Sequence, residues 1–363
     1  MKILLVTGSF PPMRCGVGDY TYQLVRALAL HDTLRVGVLT SKTQDPAETD
    51  RVELFPEVTS WGLRDLPRIL AVLRRWRPDI VHVQFPTQGY KGRRLPKLLP
   101  LLCRALGFTV VQTWHEPVGP RPLERLFWLL VQTPVSGGLV FVRPNYEQAL
   151  PGILRWGLHG KTRRFIPNAS VIPPVRLSRA EVEAIRVRLL RAGANRLVVY
   201  FGFLHPAKGV EQVFQVTDPR TDQLVIIGDV QQADAYHQRI AALAAVEPWK
   251  DKVTFTGFLA ADEVARIIAA ADAVVLPFLN GGGEWNTSIH GAQAQGTFVI
   301  CTSTRRRGYS APENTYFARP GDWRDMRAGL ERYAGTRCAA AQAQASWSAI
   351  AQDHLSLYKE VLG

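Results

Sequence analysis

Cysteine is scarce: the 363 residues hold four, Cys15, Cys103, Cys301 and Cys338, widely spaced and with no metal-ligand rhythm. That excludes a disulfide-stapled scaffold, and reduced thiols in a cytoplasmic protein are the expectation. Long apolar runs are missing too. A membrane-spanning helix needs about 20 apolar residues, yet the two greasiest stretches, 95–112 and 126–142, are broken by Lys97, Arg104, Gln132, Pro134 and the Gly137-Gly138 pair. The first apolar run ends at Gly8-Ser9 without a small-residue cleavage pattern, so it reads as a strand and not a signal peptide. Acidic charge is in deficit, with 31 Asp and Glu against 44 Lys and Arg. Charged residues make up 21 % and hydrophobic ones 47 %, enough apolar material for large cores and too much for a disordered chain.

The basic surplus is uneven. Residues 1–175 carry 23 basic and 12 acidic side chains, +11 of the total +13. It concentrates in Arg68, Arg74, Arg75, Arg77, Lys91, Arg93, Arg94, Lys97 and Arg104, interleaved with Leu, Trp and Tyr. Such a face suits an anionic membrane surface or an anionic lipid-linked substrate, and equally a set of solvated helix faces. Nucleic acid is not expected as a partner, because no zinc-finger spacing, recognition-helix signature or ribonucleoprotein motif accompanies the charge.

Short β-branched runs alternate with amphipathic stretches from end to end. Strands are predicted at 2–7, 35–40, 80–83, 109–113 and 138–142, then at 197–201, 223–227, 252–255, 273–276 and 297–301. Helices are predicted at 18–31, 64–76, 95–106, 179–192, 207–216, 232–246, 261–270, 287–295 and 347–362. Strand alternating with helix in both halves means an α/β chain of two Rossmann-like, doubly wound domains, with ligands expected at the carboxyl ends of the sheets, in a cleft that the two domains face. Pro173-Pro174 cannot continue a helix or a central strand, which puts the boundary there: domains 1–173 and 174–344, with 345–363 as a terminal helical segment.

Four segments can carry chemistry. The first strand runs into G-S-F-P-P-M-R-C-G-V-G-D-Y-T, residues 8–21, whose glycines permit close backbone approach before a helix start. It lacks the third glycine of a dinucleotide fingerprint, and Gly160-Lys161-Thr162 lacks the upstream glycine of a phosphate loop, where Arg155 stands. His115 and Glu116 close a strand at its carboxyl end, where catalytic groups gather. Lys208 lies in a loop between a strand and a helix, and an ammonium there can neutralise a phosphate. Gly281, Gly282 and Gly283, followed by Asn286, Thr287 and Ser288 before a helical run, form an anion cradle. The bland readings are a structural histidine, a solvated lysine and a flexible loop with a Ser/Thr cap.

Taken together the chain resembles glycosyltransferase family 4, retaining sugar-nucleotide transferases of the two-domain GT-B fold. The resemblance rests on Pro11 to Gly18, P-D-I-V-H-V-Q from Pro78, the His115 strand end and I-P-N-A-S-V-I-P from Ile166. In the second half it rests on F-G-F-L-H-P-A-K-G, L-V-I-I-G-D, V-T-F-T-G-F-L, A-D-A-V-V-L-P-F and the Gly-rich loop with Gly296. It implies a hexosyltransferase-type enzyme of polysaccharide biosynthesis, cytoplasmic and peripheral on the inner face of the membrane. It also implies no cofactor and no metal, a UDP-, GDP- or dTDP-linked sugar as donor, and a glycan or lipid-linked acceptor. The alternatives are a catalytically silent GT-B partner protein and a sugar-nucleotide epimerase.

The resemblance also implies residue roles. His115 and Lys208 would be catalytic, the first near the donor sugar and the second on the leaving diphosphate. Gly16, Gly18, Gly202, His205, Thr256, Gly257, Phe258, Gly283, Glu284, Asn286, Thr287 and Ser288 would bind the donor, and Asp19, Tyr20 and Glu116 the acceptor. The terminal helix would pack back on the first domain. Two positions depart from the family pattern. Its paired glutamates fall here on Gly283 and Gly291, and its arginine five residues before the donor-site lysine falls on Phe203.

Overall fold

The computed structural model describes residues 1–363 apart from 44, 48, 117–121, 284, 285 and 339–345. Contacts divide the chain into one unit of Met1–Asn168 with Ala345–Gly363 and a second of Ala169–Gln344. The division thus falls five residues ahead of the double proline.

In the first unit the described strands are β1 (Lys2–Val6), β2 (Arg35–Ser41), β3 (Val52–Val58), β4 (Ile80–Phe85), β5 (Thr109–Trp114), β6 (Gly138–Phe141) and β7 (Thr162–Phe165). They lie in the order β3-β2-β1-β4-β5-β6-β7, every pairing parallel. The central strands are apolar along their whole length because both faces are covered: Ile3, Leu4, Leu5 and Val6 are all fully buried. The outer strands are different. In β3 most positions are half-exposed and Pro56 stands within the run; β7 is T-R-R-F, with exposure alternating. Neither was predicted, since both are edge or near-edge strands that lack the apolar run used to find the others.

The terminal helix Trp347–Leu362 belongs to this unit. Ile350, Ala351, Leu355, Leu357 and Tyr358 are buried, and full burial of an aliphatic side chain is worth about 1.5–3 kcal/mol. Gly137 and Gly138, where β6 begins, let the helix approach: a Cβ on either would come within 2.8 Å of Val361. Arg164 on β7 pairs with Glu360.

The second unit repeats the plan. Its described strands are β8 (Arg196–Phe201), β9 (Asp222–Ile227), β10 (Val253–Gly257), β11 (Ala273–Leu276), β12 (Val299–Thr302), β13 (Gly308–Ser310) and β14 (Thr315–Ala318), ordered β10-β9-β8-β11-β12-β14-β13. Only β13 runs antiparallel. The predicted helix over 207–216 is replaced by two short 3₁₀ turns and a single α-turn, Val213–Val216. The break comes at Gly209, whose φ of 64° is left-handed. Both units are therefore Rossmann-like, and each reverses its strand order beside its first strand, at β1/β4 and at β8/β11. In such sheets ligands sit outside the carboxyl ends of the strands at that reversal.

Candidate active site

At the β8/β11 reversal, the loop after β8 opens with Gly202, whose φ of 135° suits glycine alone. A Cβ there would lie 3.6 Å from Ser288 Oγ, so the end of β8 and the start of the helix Thr287–Gln293 are neighbours. The turn 205–209 is pinned from three sides. His205 Nδ1 accepts from the Ala207 amide at 3.2 Å, and the Leu279 amide donates to Ala207 O at 3.0 Å. Gly209 packs so closely that a Cβ would sit 2.3 Å from Pro277 O.

This turn holds the Lys208 ammonium 4.6 Å from the centre of the Phe278 ring, a cation–π placement. The same ring touches the glycine loop, since a Cβ on Gly282 would come within 2.8 Å of it. Phe278 thus brings together two segments that are 73 residues apart in number, Lys208 and Gly281. Asn286 precedes the helix without a side-chain cap, which leaves the first-turn amides of Thr287 and Ser288 to other acceptors. Gly283 O accepts from the Asn286 amide, while Glu284 lies outside the described residues.

On the other side of β8, Gly228 follows β9 so closely that a Cβ would meet Gly202 O at 2.6 Å. Gly257 ends β10 with a left-handed φ of 70°, Thr256 Oγ1 donates to Gly257 O at 3.0 Å, and Phe258 stands 59 % exposed beyond it. The two departures from the family pattern have clear surroundings. Phe203 is 42 % exposed and supplies no charge. Gly291 faces the 170–172 segment, where a Cβ would lie 2.9 Å from Ser170 Oγ and 3.2 Å from Ile172. A larger side chain there would have to push the Ser170 and Ile172 side chains aside, so this helix seats closely against its own unit.

In the first unit the β1/β4 reversal is equally tight. A Cβ on Gly89 would lie 1.7 Å from Gly8 O, and the Gly89 amide donates to Ser9 Oγ at 2.8 Å. Gly18 lies against Ser9, 3.0 Å from a Cβ to its carbonyl, which seats the start of the helix Gly16–Ala29. Gly16 looks into open space. Asp19 lies in that first turn, and burial raises its carboxyl to about 6.

His115 follows β5 directly and is 7 % exposed. Its Nε2 donates to Gln84 Oε1 at 2.9 Å, and its ring packs edge-on against Tyr20 at 4.9 Å. Burial, helped by the neighbouring His354 and Arg143 charges, lowers its pKa to about 3. The imidazole is therefore neutral at any physiological pH. Glu116 is exposed and pairs with Arg143. Tyr20 is buried at 4 % under His115, Trp347 and His354. Its ring packs edge-on against His115 and so braces it. Sequence reasoning missed Gln84, His82, His354 and Tyr358. All four are buried polar residues, and the only signal was their presence in strands or helices that are otherwise apolar.

Two Rossmann-like sheets, each with a glycine-lined reversal of strand order, define an α/β protein with a ligand-binding edge in each unit. The family model "Glycosyltransferase Family 4" matches residues 15–137 and "Glycosyl transferases group 1" matches residues 195–334, between them most of the chain. The chain belongs to glycosyltransferase family 4, with the GT-B fold, and is a glycosyltransferase by class. It is 27 % identical to a GDP-mannose-dependent alpha-mannosyltransferase of Mycolicibacterium smegmatis, over 83 % of this chain and 79 % of that protein. A GDP-mannose-dependent alpha-mannosyltransferase of Corynebacterium glutamicum is 26 % identical over 65 % of this chain and 53 % of its own length. Among solved structures, sucrose-phosphate synthase from Thermosynechococcus elongatus superposes with a TM-score of 0.76 over 99 % of both chains at 20 % identity. Family membership sets glycosyl transfer above the silent-partner and epimerase alternatives.

Proposed function

We propose that the protein transfers a hexose from a nucleotide-sugar donor, with retention of anomeric configuration, to a glycan or lipid-linked acceptor in polysaccharide assembly. The observation that carries this reading is the β8/β11 reversal, where Phe278 holds the Lys208 ammonium beside a three-glycine loop and an uncapped helix start. Lys208 neutralises the leaving diphosphate as a point charge, and the Thr287 and Ser288 amides take the remaining phosphate oxygens. His205, with Nδ1 occupied by the Ala207 amide, offers Nε2–H where the family's arginine is missing. Thr256, Gly257 and Phe258 line the base. His115, neutral, hydrogen-bonds the transferred sugar, and the leaving phosphate assists deprotonation of the acceptor hydroxyl. Asp19 and Glu116 are the acceptor contacts.

No divalent ion is part of this reading. The names of the two mannosyltransferase relatives make GDP-mannose the first donor to test. A panel of GDP-, UDP- and dTDP-sugars is expected to give one clear stabiliser, raising the melting temperature by several degrees at 100 times its Kd, about 2.7 kcal/mol. A panel in which no nucleotide sugar shifts the melt contradicts the proposal.

We place the protein in the cytoplasm, at the inner face of the membrane. No helix among the described residues is long and apolar enough to cross a bilayer, so contact would be peripheral. Arg74, Arg77, Lys91, Arg93, Arg94 and Arg104 are all exposed, whereas Arg68, Arg75 and Lys97 are paired with Asp65, Glu57 and Glu124. Flotation with vesicles rich in anionic lipid at low salt is expected, with release as salt rises. Failure to float at low salt removes the membrane from the account.

A further inference from the structure

We infer that the terminal helix fixes which nitrogen of His115 carries the proton, through a buried relay from Tyr358 by way of His82 and Gln84; this rests on the proposed role of His115. The links are short and continuous. Tyr358 OH lies 2.7 Å from His82 Nδ1, His82 Nε2 lies 3.2 Å from Gln84 Nε2, and Gln84 Oε1 lies 2.9 Å from His115 Nε2. Thr113 Oγ1 also meets His82 Nε2, at 2.8 Å. Tyr358, His82, Gln84 and Thr113 are wholly buried, shielding the line from bulk solvent.

The polarity of the relay follows from the amide. A glutamine side chain donates only from nitrogen and accepts only at oxygen. With Oε1 on His115, the proton of that imidazole sits on Nε2 and its Nδ1 is an acceptor. Gln84 nitrogen then faces His82 Nε2, which must be unprotonated, and the Thr113 hydroxyl donates to the same atom. His82 is consequently protonated on Nδ1 and donates to the phenol oxygen of Tyr358. His82 is neutral because burial, with the His354 and His115 charges nearby, keeps its pKa well below the usual histidine range. The terminal helix supplies only the last acceptor, but every other member of the line depends on it.

Without the phenol, the His82 Nδ1–H is buried with nothing to receive it. Moving that proton to Nε2 satisfies it on Thr113 and on a turned-over Gln84 oxygen, and leaves only an idle lone pair at Nδ1. The turned amide then presents its NH₂ to His115, whose proton moves to Nδ1. An acceptor at that nitrogen becomes a donor, so a sugar hydroxyl that had donated to it must turn and accept instead, which reverses the polarity of the contact. Tyr358 does not touch His115, so it is a positioning residue.

The test is nitrogen NMR of the full-length protein labelled at histidine, combined with kinetics. In the wild type the His115 proton is expected on Nε2; in Tyr358→Phe it is expected on Nδ1, with kcat down about tenfold and the donor KM little changed. In a His115→Ala background, Tyr358→Phe is expected to cost nothing further in kcat. Gln84→Leu cuts the relay at its centre while keeping the helix contact, and is expected to remove the Nε2 preference even if Tyr358→Phe does not fold. A His115 proton that stays on Nε2 in these variants overturns the relay. Full activity in His115→Ala overturns the catalytic role of the histidine instead, and the two failures are told apart because the nitrogen spectra do not depend on turnover.

Discussion

Lys208→Ala is expected to lower donor turnover at least tenfold, which is about 1.4 kcal/mol of transition-state stabilisation. The magnitude follows from the position. The turn that carries Lys208 is held by the His205 cap, by Leu279 through Ala207 O, and by Gly209 against Pro277 O, so the ammonium is pre-placed over Phe278. A pre-placed cation acts on the charge that develops on a leaving diphosphate with little reorganisation. The loss should fall on kcat more than on KM, because that charge grows towards the transition state. Phe203 offers no second cation in the loop, so little residual compensation is expected. An unchanged rate in the folded variant would remove Lys208 from the mechanism.

Acid is expected to unfold the first unit well before it titrates most carboxylates. Burial lowers the pKa of His115 to about 3 and of His354 to about 4, and holds His82 well below its usual value. In the unfolded chain each titrates near 6.5. Above that pH neither state binds the proton. Below it the unfolded state takes up protons that the folded state refuses, so stability falls as pH drops from about 6.5 towards the folded values. Each histidine contributes up to about 1.4 kcal/mol per pH unit. Asp19 acts in the opposite sense: its pKa is raised to about 6, so its contribution is present below 3.8 and lost as pH rises through 6. Three protons against one leave a net loss of roughly 3 kcal/mol per pH unit between pH 6 and 4. Against a total stability of about 5–15 kcal/mol this is decisive. Thermal melts from pH 8 to 4.5 should show a plateau above 7 and a steep fall below 6; a melting temperature unchanged from pH 7 to 5 would contradict the buried neutral histidines.

Much of the fold was legible because parallel strands covered on both faces must be apolar throughout. The runs at 2–7, 273–276 and 197–201 needed only hydrophobicity to be found. What escaped were the partly exposed strands β3, β7 and β13, the short buried strand β14, and the turn at Gly209, where a left-handed glycine overrides the helical spacing of 207–216. The candidate site was legible in a similar measure. Lys208 and the glycine loop announce themselves by their place after a strand, but their meeting on Phe278 is a tertiary fact. The relay to His115 joins residues 82 and 358, and no local pattern could show that a tyrosine in the last helix completes a strand's hydrogen bonds.

The measurement closest to the central claim is a calorimetric titration of the wild type and Lys208→Ala with GDP-mannose, then with the other nucleotide sugars. The expected result is saturable binding of one of them at one site per chain, weakened by the substitution, with slow release of free sugar when no acceptor is present. Heat-silent titrations for every nucleotide sugar, with a protein that melts cooperatively, would contradict it.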